Sequence, residues 1–277
     1  MSDAIELACR LGPEAKMIAG GTDLVIQMRR RQKSPAHLIN IQPIEELQRL
    51  VIDDLGVTIG ALVTHKRIEQ AFENDARLEG LSESARIVGG HQVRNSGTIG
   101  GNLCNASPAA DLFPILLVLD AEVELVGEAG SRREPLKSFL LAPGHTTKAP
   151  DEILARVRFP SPRAGSATAF LKAGRRRAME ISLVSVAAMI SLDGDGRCGD
   201  VRIAVGAAAP TAFRAAAAES VLKNRTITEE LLEAAGQAAA DASSPLTDHR
   251  ASAGYRRRLV ATLTKRALMS CSQRIAA

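Results

Sequence analysis

The chain has 277 residues, 45% of them hydrophobic and 24% charged, with a formal net charge of +4, the balance of an ordinary globular protein with a sizeable core. It holds no tryptophan and one tyrosine, and its basic runs at 29–31, 175–177 and 256–258 are short and scattered, which argues against a nucleic-acid module built on aromatic stacking. No apolar stretch approaches the roughly 18 residues of a membrane span, and no charged-then-apolar leader opens the chain, so a cytoplasmic protein is expected.

In chain order, residues 5–11 have helical spacing, 16–19 form a short apolar strand, and 22–32 read as a helix capped by Thr22 or Asp23. A second strand at 37–41 and a helical turn at 43–50 complete a small α/β unit over 1–50. A second α/β unit, 51–163, opens with a strand at 57–61 and a helix at 64–71 capped by Thr64. Helical spacing continues over 78–88 and ends at Gly89-Gly90. A glycine-rich loop then feeds a helix at 108–119, with Ser107 as its N-cap and Pro108 at its first position. Alternation predicts a strand at 121–126, followed by a short helix at 135–141 and a strand at 152–159 closed by Pro160. The Pro/Ser/Gly stretch 160–166 reads as a linker.

The third unit, 164–277, changes pattern. Residues 167–173, 181–192 and 201–208 read as strands, the last two joined at Asp193-Gly194-Asp195-Gly196, a hairpin signal. The same Asp-x-Asp spacing is that of a calcium loop, but its twelfth position is Ala204, which cannot ligate. From Ala212 the chain is Ala-rich and helical in three pieces. The fold class expected is α+β: two small α/β subdomains, then an antiparallel sheet with C-terminal helices.

Two segments carry the chemistry. Residues 17–24, Met-Ile-Ala-Gly-Gly-Thr-Asp-Leu, place a strand, a Gly-Gly turn and a helix start in sequence. Either this is a cradle of backbone N–H groups for a phosphate, or a plain strand-to-helix turn with a Thr/Asp cap. Residues 98–112, Thr-Ile-Gly-Gly-Asn-Leu-Cys-Asn-Ala-Ser-Pro-Ala-Ala-Asp-Leu, repeat the construction, since Gly100 and Gly101 strip side chains from the backbone ahead of a helix. Two such loops facing each other suit the diphosphate of a dinucleotide. Neither is a G-x-G-x-x-G fingerprint, and no Lys follows the glycines as in a Walker loop. Asp111 is either a first-turn acid favoured by the helix dipole or a hydrogen-bond acceptor for a cofactor. The four cysteines lie far apart with no C-x-x-C pair, and the histidines lack metal-ligand spacing, so a cluster, zinc site or disulfide framework is disfavoured. Cys104 reads as a packing residue.

Taken together, residues 19–24, Gln92-Val93-Arg94-Asn95 leading into 98–112, Pro150-Asp151-Glu152-Ile153-Leu154, 170–184, and Asp248-His249-Arg250-Ala251-Ser252 with Tyr255-Arg256 resemble the FAD-binding subunit of the molybdenum hydroxylases, the family of xanthine dehydrogenase and carbon monoxide dehydrogenase. The resemblance covers nearly the whole chain. It implies that Ile18, Ala19, Gly20, Gly21, Thr22, Asp23 and Leu24 wrap the FAD pyrophosphate, and that Thr98, Gly100, Gly101 and Asn102 hold the diphosphate and ribityl region from the other side with Ser107 and Asp111 nearby. It further implies that Lys172 contacts the flavin, that Ile181 lies against the isoalloxazine where some relatives carry an aromatic, and that Val88 and Lys148 also touch the cofactor.

By the same resemblance, a large subunit carries molybdopterin, a small subunit carries [2Fe–2S] clusters, and the assembly is a dimer of heterotrimers in which FAD passes electrons to an external acceptor. No substrate-converting acid, base, nucleophile or metal ligand is then expected in this chain. Family members open with an extra strand, often containing Phe-x-Tyr-x-x-Pro, so this N-terminus reads as short or as assigned late. The cysteine-rich insertion of hydroxybenzoyl-CoA reductase subunits is absent, which argues against an extra iron–sulfur cluster. The alternatives are a stand-alone flavin- or nucleotide-binding module without redox partners, and an assembly subunit that has lost its flavin.

Overall fold

A computed structural model describes residues 1–176 and 178–276, so Arg177 of the basic run at 175–177 lies outside the described residues. The chain opens with helix α1 (Ser2–Leu11), which turns Ala4, Ile5 and Ala8 inward. Strands β1 (Ala15–Ile18) and β2 (His37–Asn40) pair in parallel, Ala15 opposite His37, around the short helix α2 (Leu24–Arg29). This helix is shorter than its periodicity predicts. Asp23 sits at its N-cap, but neither Thr22 nor Asp23 makes a capping side-chain hydrogen bond.

The next body is a five-stranded antiparallel sheet in the order β3 (Leu50–Asp53), β4 (Gly56–Gly60), β9 (Ile153–Phe159), β5 (Glu122–Gly127) and β6 (Gly130–Pro135). Its inner face carries Val57, Ile59, Val123, Leu125, Val157 and Phe159, all in the main core. Against them pack α3 (His65–Phe72), α4 (Glu79–Arg86), α6 (Ile99–Asn105) and α7 (Leu112–Val118), while α5 (His91–Ser96) lies alongside α3. The outer face is ionic: buried Glu124 on β5 takes Arg156 at 2.8 Å, Arg158 at 3.3 Å and Arg133 at 3.5 Å. A short helix α8 (Leu136–Phe139) and a small hairpin, β7 (Leu140–Ala142) with β8 (His145–Thr146), bridge β6 to β9.

Two sequence expectations fail here. Residues 98–105 are a helix rather than a bare loop, because Thr98 caps it by accepting from Gly101 N–H at 3.1 Å while Ile99 and Leu103 are fully buried. Residues 108–110, conversely, are turn and not helix, and α7 begins at Leu112. Among the described residues the Ser107 hydroxyl accepts only from Ala109 N–H, at 3.3 Å.

The last body is an antiparallel sheet in the order β10 (Ser166–Ala173), β11 (Val184–Leu192), β12 (Cys198–Gly206) and β13 (Phe213–Arg214). Successive side chains of a strand face opposite ways. On β11, Val184, Val186, Ala188 and Ile190 meet helices α9 (Ala216–Leu222), α10 (Glu229–Asp241) and α11 (Ala253–Ala276), whereas Ala187 and Met189 join the main core under α7. Both faces are covered, which is why β11 reads as an unbroken apolar run.

Arg274, near the end of α11, pins this layer to the second: its guanidinium pairs with Glu79 at 3.2 Å and Glu83 at 2.5 Å and donates to the Thr168 carbonyl. Arg274→Ala is expected to cost about 2 kcal/mol, as for a half-buried charge network losing its centre. A urea unfolding curve that matches wild type would contradict that role. Among the described residues no helix is long and apolar enough to cross a membrane, and no His/Cys/Asp/Glu group is arranged to hold a metal.

Candidate cofactor site

The two glycine segments come together because Gly20 has no side chain where the backbone leading into the second segment passes. A Cβ on Gly20 would lie 1.8 Å from the Ser96 carbonyl oxygen, so only glycine lets the turn after β1 approach the start of the 97–102 segment. Gly21, at φ +70°, bends that turn in the left-handed region. Gly100 serves packing as well: its N–H donates to the Ala61 carbonyl at 2.9 Å, and a Cβ there would strike Ala61 at 2.7 Å. Gly101 is different. It is exposed, and a Cβ on it would meet only the Thr98 hydroxyl, at 3.1 Å.

Between the segments lies a cleft of about 390 Å³ lined by Ala19, Gly20, Gly21, Thr22, Asp23, Leu24, Val88, Thr98, Gly100, Gly101, Asn102 and Lys148 from the expected set. Its remaining lining includes Lys16, Lys33, His65, Cys104 and Asn105. Five expected residues do not line it. Ile18 ends β1 and sits against Gly21, where a Cβ would be 3.6 Å from its Cδ1, and Ser107 lies in the turn before α7. Asp111, Lys172 and Ser182 form a buried cluster of their own, with Lys172 Nζ 2.7 Å from Asp111 Oδ2 and the Ser182 hydroxyl donating to Oδ1 at 2.6 Å. Ile181 is half exposed beside that cluster. The loop that carries Ile181 reaches back to the Val88 end of the cleft, since Met179 N–H donates to the Gly89 carbonyl at 3.3 Å.

The two segments contribute unlike groups. Among the described residues no carbonyl or side chain accepts from the N–H groups of Gly20, Gly21, Thr22 or Asp23. On the other side the N–H groups of Ile99, Gly100, Gly101 and Asn102 are all taken, by Val63, Ala61, the Thr98 hydroxyl and the Thr98 carbonyl. What that side offers is the bare Gly101 backbone and the Asn102 carboxamide, whose Oδ1 is buried with no partner. A buried polar atom left unpaired costs about 1–3 kcal/mol, which a ligand donor would recover.

The titratable groups are tuned by burial. The Lys148 ammonium is pushed down from its ordinary value by burial, although its Nζ donates to the Ala149 and Glu152 carbonyls at 2.8 and 2.9 Å. Burial lifts the Cys104 thiol to about 11, so it is a protonated, unreactive wall residue. The Asp23 carboxyl is also raised by burial, with Lys33 acting against it. His65 was not anticipated as a lining residue. An antiparallel bridge between Thr64 and Thr98 brings it here, and no spacing in the sequence announces that pairing.

Residues 1–162 match the model of the FAD-binding domain in molybdopterin dehydrogenase, and 169–271 match that of the CO dehydrogenase flavoprotein C-terminal domain. The chain belongs to this family. It is an FAD subunit of the molybdenum hydroxylase type, an oxidoreductase component. It is 33% identical over 270 residues to the xanthine dehydrogenase FAD-binding subunit of Escherichia coli O157:H7, covering 97% of this chain and 92% of that one. It is 34% identical over 278 residues to the 6-hydroxypseudooxynicotine dehydrogenase complex subunit alpha of Paenarthrobacter nicotinovorans, covering 99% and 94%. Among solved structures, carbon monoxide dehydrogenase from Hydrogenophaga pseudoflava superposes at a TM-score of 0.93 with 33% identity, covering 98% of this chain and 94% of that one. The residues of the cleft suit FAD: free amides on one wall, a bare backbone and an unpaired carboxamide on the other, with lysines at its margin.

Proposed function

We propose that this chain is the flavin station of a cytoplasmic multi-subunit molybdenum hydroxylase. In this reading a large subunit carries molybdopterin, a small subunit carries [2Fe–2S] clusters, and the heterotrimer pairs into a dimer. FAD bound in the cleft would accept electrons from those clusters and release them, singly or as a pair, to an external acceptor. The observation that carries the reading is the opposition, across one cleft, of the unpaired amides of 20–23 to the orphaned Asn102 carboxamide.

In this arrangement the 20–23 amides would hold the diphosphate with Lys16 and Lys33 beside them, and Asn102 and Gly101 would face its sugar-alcohol links. Val88 and the loop bearing Ile181 would flank the flavin end of the cleft. The Asp111–Lys172–Ser182 cluster stiffens the base of that loop from behind. Because α2 and α6 are short, their dipoles contribute little, and individual N–H groups do the holding. The relatives named above carry the names of different dehydrogenases at similar identity, which supports a substrate pocket on a partner chain.

The purified full chain is expected to be yellow, absorbing near about 450 nm as flavoproteins do. A tagged copy expressed from its native source is expected to bring down a molybdenum-containing large subunit and an iron-containing small one. Protein that stays colourless after incubation with FAD would refute the cofactor site. A yellow chain that captures no metal-bearing partner would instead identify a lone flavin module.

A further inference from the structure

Among the described residues, one buried polar side chain of the cleft outside the two glycine segments has a ring nitrogen with no partner within the chain. We infer that His65 is a cofactor-positioning residue whose imidazole hydrogen-bonds a neutral polar group of the bound dinucleotide and fixes it against the 97–102 segment. This rests on the FAD reading above.

His65 is the first residue of α3, 3% exposed, and it lines the cleft. Its position relative to the second glycine segment is rigid. Its main-chain N–H donates to the Gly97 carbonyl at 3.1 Å, and its ring lies so close over Gly97 that a Cβ there would be 3.1 Å from Cδ2. Ring atom Nδ1 is buried with no partner among the described residues. A leucine would fill a buried site of this kind without stranding a nitrogen, so the imidazole destabilises the free chain unless a ligand pairs with it.

The surroundings determine which ligand group fits. The charge that acts on His65 is that of Arg94 on α5, and Lys66 and Glu69 follow it on its own helix α3. Glu69 holds Arg94 at 3.7 Å and also takes Lys66 at 3.3 Å and Arg86, from α4, at 3.5 Å. Burial, reinforced by the Arg94 charge, lowers the imidazole to about 4, so it stays neutral. A neutral imidazole offers one N–H and one lone pair. That suits a hydroxyl, which both donates and accepts, better than a phosphate, which calls for a cation. The sugar and ribityl hydroxyls of the dinucleotide are the groups of this class.

The test uses the full chain stripped of flavin, with FAD titrated by quenching of its fluorescence and the apoprotein followed by thermal unfolding. His65→Leu is expected to weaken FAD binding by about tenfold or more, while the apoprotein melts no lower than wild type. His65→Gln, which restores hydrogen bonding, is expected to recover most of the affinity. Should the Leu variant fail to fold, His65→Phe gives the same comparison. FAD affinity of the apolar variants within about twofold of wild type overturns the assignment, as does a loss that the Gln variant shares in full. Failure of the wild-type chain itself to take up FAD refutes the cofactor reading, and is seen separately from either result.

Discussion

Gly20→Ala is expected to be the most damaging single-methyl change in this chain, lowering stability by about 3 kcal/mol and abolishing measurable FAD binding. The added carbon would fall 1.8 Å from the Ser96 carbonyl oxygen, and its three nearest neighbours are all backbone atoms, so no rotamer relieves the overlap. The turn and the 97–102 segment would have to separate, which moves the free amides of 20–23 away from Asn102. Gly101→Ala makes the contrast, because its Cβ meets only the Thr98 hydroxyl and alanine favours a helix over glycine by up to about 1 kcal/mol. That variant is expected to unfold within about 1 kcal/mol of wild type yet bind FAD more weakly, since the methyl covers open backbone. Urea unfolding and flavin titration of the pair decide the matter. Equal stability for the two variants would refute the packing role given to Gly20.

Asp111→Ala is expected to cost about 4 kcal/mol, the range for removing one partner of a buried ion pair. The side chains of Asp111 and Lys172 are 7% and 10% exposed, so the variant strands a buried ammonium and an unpaired Ser182 hydroxyl. Burial pushes the Asp111 carboxyl above its ordinary value, with Lys172 and Ser182 pulling it back only in part. For a carboxyl raised on folding, the associated stability is complete below the unfolded value of about 4 and is lost as pH rises through the folded value. At neutral pH the pair is therefore tolerated by the fold rather than driving it. Pairing Asp111→Leu with Lys172→Met should return most of the loss, because an apolar pair replaces both charges together. A double variant no more stable than Asp111→Ala would refute that account.

What the sequence disclosed followed local rules. Thr64 caps α3 because a hydroxyl three residues ahead of a free N–H is a local arrangement, and the three C-terminal helices follow from an Ala-rich tail. The glycines of both segments stood out because their role is the absence of a side chain. The misreadings came from tertiary contacts overriding propensity. Gly100 and Gly101 each disfavour a helix, yet Ile99 and Leu103, one turn apart, are buried and hold α6 in place; that i, i+4 pair after Thr98 was the available signal. Strand β6 is not legible in the sequence because Gly-Ser-Arg-Arg-Glu-Pro is a charged edge with no apolar alternation. The Asp111–Lys172 pair joins residues 61 positions apart, and the Thr64–Thr98 bridge that delivers His65 is equally non-local.

The place of β9 in its sheet sets an order of events during synthesis. It is the middle strand, yet it is the last of the five to be made. Until residue 159 has emerged, the hairpins β3–β4 and β5–β6 have no common neighbour, and the Ala155 carbonyl that accepts from Ala61 N–H is missing. Lys148, Ile153 and Leu154 of the cleft arrive with the same stretch. A nascent chain shorter than this should neither capture flavin nor resist protease, and both properties should appear together as β9 slots in.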